Sequence, residues 1–561
     1  MAAQAAIFTL CNPVNLMTEL VLCWHFHQPD YRGDDGVYRL PWTYLHAFKD
    51  YSDMAAHLEA HPGVRAVVNF VPVLLDQLDD YADQFRTGAV RDPLLAALID
   101  PQPGSTLEKR RALLAACFRL NVPTMLNWFA GYRALYTTWK NSEEEGDAAL
   151  ADLSEAYFAD LVVWYHLAWS GESVRRAHPE LARWLVREDH FSLAERRYLF
   201  DIIGTVVSHI LPRYRALLKR GQIEISTTPH SHPILPLLLD FSTAREARSD
   251  LPLPKHPGYP DGRVRAEAHV AAAIATHTAY FGTPPSGCWP AEGGVSEATL
   301  EVLQAAGLRW VASGGGVLNH SRAGTQLADA PGWRVGDLSM ACFFRDDHLS
   351  DLIGFEYQHW HARDAVRHFV HAVESYGQRH SRLATVILDG ENAWEYYPYN
   401  GWYFLDELYT ALEAHAGVST TTFSAYLDVH ETLGHLPRLV AGSWVYGDFT
   451  TWVGDVAKNR AWDLLCVAKH AYDITWPGLT PEQQDAAEAI LSSCESSDWF
   501  WWLGDYNPAE SVVLFDVLYR HKLARLYTAL GLSEPEILSI PLARGGGGEA
   551  ESGGVMRRGQ A

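Results

Sequence analysis

Short apolar runs rich in β-branched residues alternate along the chain with longer stretches of helical period. Runs at 20–26, 64–70, 223–227, 309–312, 341–344 and 384–388 predict strands. Stretches at 44–60, 266–280, 296–306 and 365–379 predict helices between them. Parallel strands need such crossovers, so the expected class is α/β with a parallel sheet, open or closed into a barrel. No G-x-G-x-x-G follows the first strand, which leaves a dinucleotide-binding sheet unsupported. The polar and aromatic residues of most interest sit at the C-terminal ends of strands, where barrels and open sheets both keep their sites.

Two segments break the alternation. Residues 92–200 are nearly all helical in pattern, including DLVVWYHLAW, and are expected to lie over the sheet end as an insertion. Residues 433–535 are again helical, with DWFWWLGDY at 498–506, and are expected to form a second domain beside the site. The first 16 residues carry no positive charge and make a poor signal peptide. They read as an unstructured extension, with Met17 a candidate start because a strand-like run follows at once. The Gly-rich stretch 543–561 reads as a disordered tail. The barrel then occupies 17–432.

Charge and composition narrow the partners. A net charge of -23 over 561 residues repels phosphate backbones and anionic lipid, so neither nucleic acid nor membrane is an expected partner. No apolar run reaches a membrane span. The seven cysteines are scattered without a CxxC pair, which argues against a disulfide framework and for a reducing cytoplasm. The 20 Trp and 26 Tyr offer flat faces that suit sugar rings, although aromatics also fill cores.

Four segments carry candidate chemistry. His25 and His27, in HFHQP, point to one side of an extended chain and could ligate a metal or bind hydroxyls. In GQIEIST, Gln222, Glu224 and Ser226 share a face that is either solvent or a polar cavity. In GCWPAEGG, a turn brings Trp289 and Glu292 together, and the helix that follows has its own cap in Ser296, so Glu292 is not needed there. In VILDGENAWE, a buried strand ends directly in Asp389, Gly390, Glu391 and Asn392. Paired carboxyls on neighbouring strands suit glycoside hydrolysis, where a retaining enzyme sets them about 5–5.5 Å apart. One must attack as an anion while the other holds a proton, and apolar surroundings or a like charge keep that proton in place.

These four segments, in this order, resemble the conserved regions of glycoside hydrolase family 57. PWTYLHAFKDYSDM at 41–54, FFRDDHLSDLIGFEY at 343–357 and SSDWFWWLGDY at 496–506 resemble its α-amylase and amylopullulanase-like branch. The resemblance implies an incomplete (β/α)7 TIM-like barrel followed by a helical domain. It implies a retaining mechanism on α-glucans or maltooligosaccharides, by hydrolysis or transfer, with no cofactor and no metal. It makes Glu292 the nucleophile and Asp389 the acid/base, and places His27 and Glu224 on the sugar at the cleavage site. Trp289, His25, Glu391 and Trp394 are the expected neighbours. A fifth region is expected at 442–454, with Asp448 and Trp452 lining the site. One departure stands out: many relatives carry an acidic pair where this chain reads Ser313-Gly314-Gly315-Gly316.

Two other classes compete. A metal-dependent sugar deacetylase or mannosidase-like hydrolase would use His25, His27, His230 and His232 to activate water. A non-catalytic glucan-binding protein would need only the aromatics.

Overall fold

The chain, seen in a computed structural model, is described over residues 17–33, 35–543 and 545. The expected extension at 1–16 and nearly all of the expected tail lie outside the described residues.

Ten strands form one sheet among the described residues. They are β1 (Thr18–Phe26), β2 (Ala66–Phe70), β3 (Ile223–Thr227), β4 (Gly287–Cys288), β5 (Trp310–Ser313), β6 (Trp333–Val335), β7 (Ala341–Phe344), β8 (Leu383–Asp389), β9 (Val418–Thr421) and β10 (Gly434–Leu436). Their order is β10-β6-β7-β5-β4-β3-β2-β1-β8, and β9 also pairs β1. Every pairing is parallel except β6 with β7. The seven strands from β7 through β5, β4, β3, β2 and β1 to β8 curl into a barrel wall. No ladder joins β8 back to β7. The seam is crossed instead by Asp346 N–H donating to the Thr385 carbonyl (2.8 Å) and Arg345 Nε donating to the Ile387 carbonyl (2.8 Å). This is the incomplete (β/α)7 barrel that the sequence predicts.

Strand alternation sets the two cores. Val21 and Cys23 face a small inner cluster with Val67, Trp310, Phe343 and Ile387. Leu20, Leu22, Trp24 and Phe26 face outward into the large cluster shared with the helices. The short strands β4, β6, β9 and β10 lie outside the predicted runs. The predicted helix at 44–60 runs from Trp42 to Ala60, but its middle, Ala47–Tyr51, is a π-helical turn.

Helices fill the chain between β2 and β3, ending in the long helix Leu193–Lys219, which starts on a Ser192/Glu195 capping box. A C-terminal helical region follows β10, with helices Val456–Thr475, Pro481–Cys494, Ser497–Trp502 and Ala509–Ala529. One tie to the barrel is the buried carboxylate of Glu495. That group accepts from Arg265 Nε and Nη2 (2.8 and 2.7 Å), His269 Nε2 (2.6 Å) and Tyr259 OH (2.6 Å). Burial alone would raise its pKa, but Arg265 and His269 outweigh burial and hold it down at about 2. The clamp fixes the start of Ser497–Trp502, and so aims that helix at the sheet end. Among the described residues no helix is long and apolar enough to cross a membrane, and the six cysteines are buried and free.

Candidate active site

The two carboxyls singled out in the sequence open on one cavity above the strand ends. Asp389 is the last residue of β8, in register with His25 of β1. Glu292 follows β4 in a tight turn, with φ 58° and ψ 22°, the left-handed region that side chains seldom adopt. Gly293 continues the turn at φ 61°, where an added Cβ would stand 2.7 Å from the Trp289 ring. Ser296 caps the next helix by accepting from Thr299 N–H, so Glu292 is not spent on capping.

The Glu292 carboxylate accepts from Ser497 Oγ (3.1 Å) on one oxygen and from Trp444 Nε1 (3.1 Å) on the other. Burial pushes its pKa up to about 7, the negative charges of Asp498 and Asp389 add to this, and the Trp444 bond opposes it. The Asp389 carboxyl is also raised, chiefly by burial, against the Asn392 side chain that donates to it (3.0 Å). Glu391 is raised well above its usual range by burial and by Asp389. Its Oε1 accepts from His27 N–H, Gln28 Nε2 and Tyr51 OH, while Oε2 has no partner.

Three imidazoles stack beside the carboxyls. His27 and His232 lie 3.8 Å apart at 18°, and His25 lies 5.6 Å from His232 at 21°. His25 is bonded to Asn69 (2.7 Å) and is held down at about 3 by burial and by His27. His232 is held well below its usual range by burial and the other two rings. For His27 burial opposes the charge, but the Asp498 carboxylate at 2.9 Å, with Glu292 and Asp389 behind it, raises the pKa overall. Of the three rings, His27 is the one whose charged form its surroundings favour.

Ligand atoms of His27, His232 and Asp498 lie within 4.8 Å of one another, so this trio is the place a metal would be sought. Two imidazoles can share an ion only if both in-plane lone pairs converge on it at about 2.0–2.1 Å. Rings stacked 3.8 Å apart at 18° keep those lone pairs in two nearly parallel, separate planes. The arrangement suits a charged hydrogen-bonding platform better than a metal centre.

The cavity holds about 1100 Å³, open solvent at its mouth included, and is walled by Trp42, Trp169, Trp289, Trp444, Trp501 and Trp502. Several buried polar atoms on its lining residues find no partner among the described residues: Trp169 Nε1, Trp289 Nε1, His27 Nδ1, His232 Nε2 and Glu391 Oε2. Each such atom costs about 1–3 kcal/mol if left bare.

The sequence model of Glycosyl hydrolase family 57 matches residues 21–437, spanning the whole barrel. The chain belongs to glycosyl hydrolase family 57. A search of curated proteins finds no match. Solved structures share the fold at low identity. A family 57-type branching enzyme from Pyrococcus horikoshii superposes with a TM-score of 0.55 at 15% identity, over 94% of this chain and 98% of its own. The α-amylase AmyC from Thermotoga maritima gives 0.55 at 12% identity, over 92% and 93%. A 4-α-glucanotransferase from Thermococcus litoralis gives 0.50 at 14% identity, over 92% and 60%.

Within this family 57 chain, Glu292, Asp389, His25, His27, Trp289 and Glu391 share the cavity. Four other predicted residues do not line it. Glu224 is three residues short of the β3 end, about 10 Å down the strand at 3.3 Å per residue. Its carboxylate accepts from Trp310 Nε1 and from Ser424 inside the barrel. Trp394 packs against Trp24 and Tyr397, its N–H on the Gly390 carbonyl. Asp448 accepts from Thr450, and Trp452 is fully buried in the large core. From the expected fifth region, Trp444 and Val445 line the cavity instead. The sequence reasoning assigned no role to Ser497 and Asp498, although the SSDWFWW segment was in view. Ser313–Gly316 also gains an explanation. A Cβ at Gly314 would meet the Trp444 backbone at 2.5 Å, and one at Gly316 would meet Gly447 at 2.8 Å. The missing side chains make room for the loop that brings Trp444 to Glu292.

Proposed function

We propose that this chain is a retaining α-glucan hydrolase or transglycosylase in which Glu292 is the nucleophile and Asp389 the acid/base. The observation that carries this is the pair of buried carboxyls, Glu292 and Asp389, opening on one cavity walled by tryptophans. Asp389 protonates the leaving glycosidic oxygen while Glu292 attacks the anomeric carbon and forms a glycosyl-enzyme. Water, or a sugar hydroxyl from a second chain, then attacks that carbon, and Asp389 takes its proton. Ser497 and Trp444 hold the attacking carboxylate by one oxygen each. A charged His27 lowers the pKa of both carboxyls, against the burial that raises them. The α-glucan substrate is supported by family membership and by the activities named for the structural neighbours. A cytoplasmic location accords with the free cysteines.

The test is incubation of the purified chain with maltoheptaose, with products resolved by size. Shorter products alone identify hydrolysis, and a ladder of longer ones identifies transfer. Unchanged maltoheptaose and unchanged longer glucan would refute the substrate class. Undiminished turnover by Glu292→Gln would refute the residue assignment.

A further inference from the structure

The turn after β3 brings His232 to Glu292 through a single serine. His232 is buried, and its backbone is left-handed at φ 63°. A residue with a side chain keeps that conformation only where its surroundings impose it. Two bonds to the start of the helix Ser497–Trp502 help to impose it. Ser497 N–H donates to the His232 carbonyl (2.8 Å), and His232 Nδ1 is bonded to Ser497 Oγ (2.8 Å). The His27 ring, stacked at 3.8 Å, fixes the plane of the imidazole.

His232 Nδ1 stands 3.9 Å from Glu292 Oε1, too far for a hydrogen bond. Ser497 Oγ fills the gap, 3.1 Å from the same oxygen. Ser497 is fully buried, and its hydroxyl has one hydrogen to give. Burial, then His27 and His25, hold His232 well below its usual pKa, which favours the neutral ring with one N–H. Two orders of bonding follow. With the ring hydrogen on Nε2, the bare Nδ1 takes the serine hydrogen, and serine lone pairs face the Glu292 carboxylate. With the ring hydrogen on Nδ1, the serine accepts from the ring and gives its own hydrogen to Glu292. An ionised Glu292 selects the second order, because a hydrogen bond to a charged acceptor is about twice as strong as one between neutral groups.

We propose that His232 is a positioning residue for the nucleophile: its Nδ1–H occupies a lone pair of Ser497 and so commits the Ser497 hydroxyl to Glu292. This rests on the reading of Glu292 as the attacking carboxylate. With the serine hydrogen committed, Oε1 is held by Ser497 and Oε2 by Trp444, and the carboxylate keeps one orientation for attack.

The test compares kcat/KM on maltoheptaose and on α-maltotriosyl fluoride. Fluoride leaves without a general acid, so that substrate reports the nucleophile's side of the reaction. His232→Gly, in which glycine accepts φ 63° without strain, is expected to lose about 10–100-fold on both substrates. His232→Asn tolerates the left-handed region and sets an amide N–H where Nδ1–H stood, and is expected to recover about tenfold of that loss. Ser497→Ala is expected to lose about as much as His232→Gly, and adding His232→Gly to it to cost less than about twofold more. Losses that multiply instead, as a role in packing against His27 would produce, overturn the link. So does His232→Asn no faster than His232→Gly, or a loss on maltoheptaose with none on the fluoride. If His232→Gly fails to fold, His232→Asn against His232→Gln decides, since the longer side chain sets the same amide near the Nε2 position. His232→Asn faster by about tenfold supports the link, and equal rates overturn it. Undiminished turnover by Glu292→Gln sinks the nucleophile reading and the link with it. An inactive Glu292→Gln together with multiplying losses sinks the link alone.

Discussion

Two groups of buried carboxyls, brought together by the same short segment, behave in opposite ways. Glu495 is fully buried and meets a guanidinium, an imidazole and a phenol, and its pKa falls to about 2. Glu292 meets two neutral donors and faces other negative charges, and its pKa rises to about 7. Burial acts on both in the same direction. What differs is whether the protein supplies a partner for the charge. Glu495 spends its charge on docking the helical region, while Glu292 and Asp389 keep an unmet demand that a substrate or a proton must answer. A strongly shifted pKa is therefore not itself the mark of a site.

The largest expected effect breaks the catalytic side. Glu292→Gln removes the attacking anion and should lower kcat by about 10⁴-fold or more. Asp389→Asn should lower it by about 10²–10⁴-fold. Initial rates on maltoheptaose check both.

The next breaks the structural side. Glu495→Gln leaves Arg265 and His269 facing a neutral group, and should cost about 3–5 kcal/mol at pH 7 in urea unfolding followed by Trp fluorescence. Because the folded pKa lies below the unfolded one, this contribution is fully present above about pH 4.5. It should fade as pH falls from there to about 2.

The same substitution at Glu292 should do the reverse. Its folded pKa of about 7 lies above the unfolded value near 4.5, so ionisation weakens the fold as pH rises between the two. Glu292→Gln does not titrate. It should match the wild type near pH 4 and be more stable by about 3 kcal/mol at pH 8, while being inactive. Equal stability across that range would show that the charge is compensated after all.

What was legible in the sequence follows from the same physics. Strands such as β1 and β8 are long enough to show their runs, and Asp389 and Glu292 sit directly after strands, so position alone exposes them. Glu224 misled because alternation gives the face of a strand and not the height along it. It does point inward, but one layer too deep. Asp448 and Trp452 misled because a loop's path is set by distant contacts, here with the Ser313–Gly316 glycines. Asp498 was hidden by a local explanation. It follows Ser496, the N-cap of its helix, and looks like an ordinary first-turn acid. The Glu495 clamp and the Ser497 bonds to His232, made with residues over 200 positions away, carry it to His27.

The smallest effect tests the role of Glu292 most sharply. If Glu292 must be ionised to attack, kcat/KM rises with pH through a limb near 7. If it were the acid, the limb would fall there instead. Other groups titrate in this cavity, so the limb needs an owner. Trp444→Phe supplies one, since it keeps an aromatic ring and removes only the N–H that stabilises the Glu292 anion. A hydrogen bond to a charged group is worth about 1.5–3 kcal/mol, or roughly one to two pH units. The variant's rising limb should therefore move upward by about one unit, with the plateau rate little changed. A limb that stays in place belongs to another group, and a falling limb that moves would exchange the roles of Glu292 and Asp389.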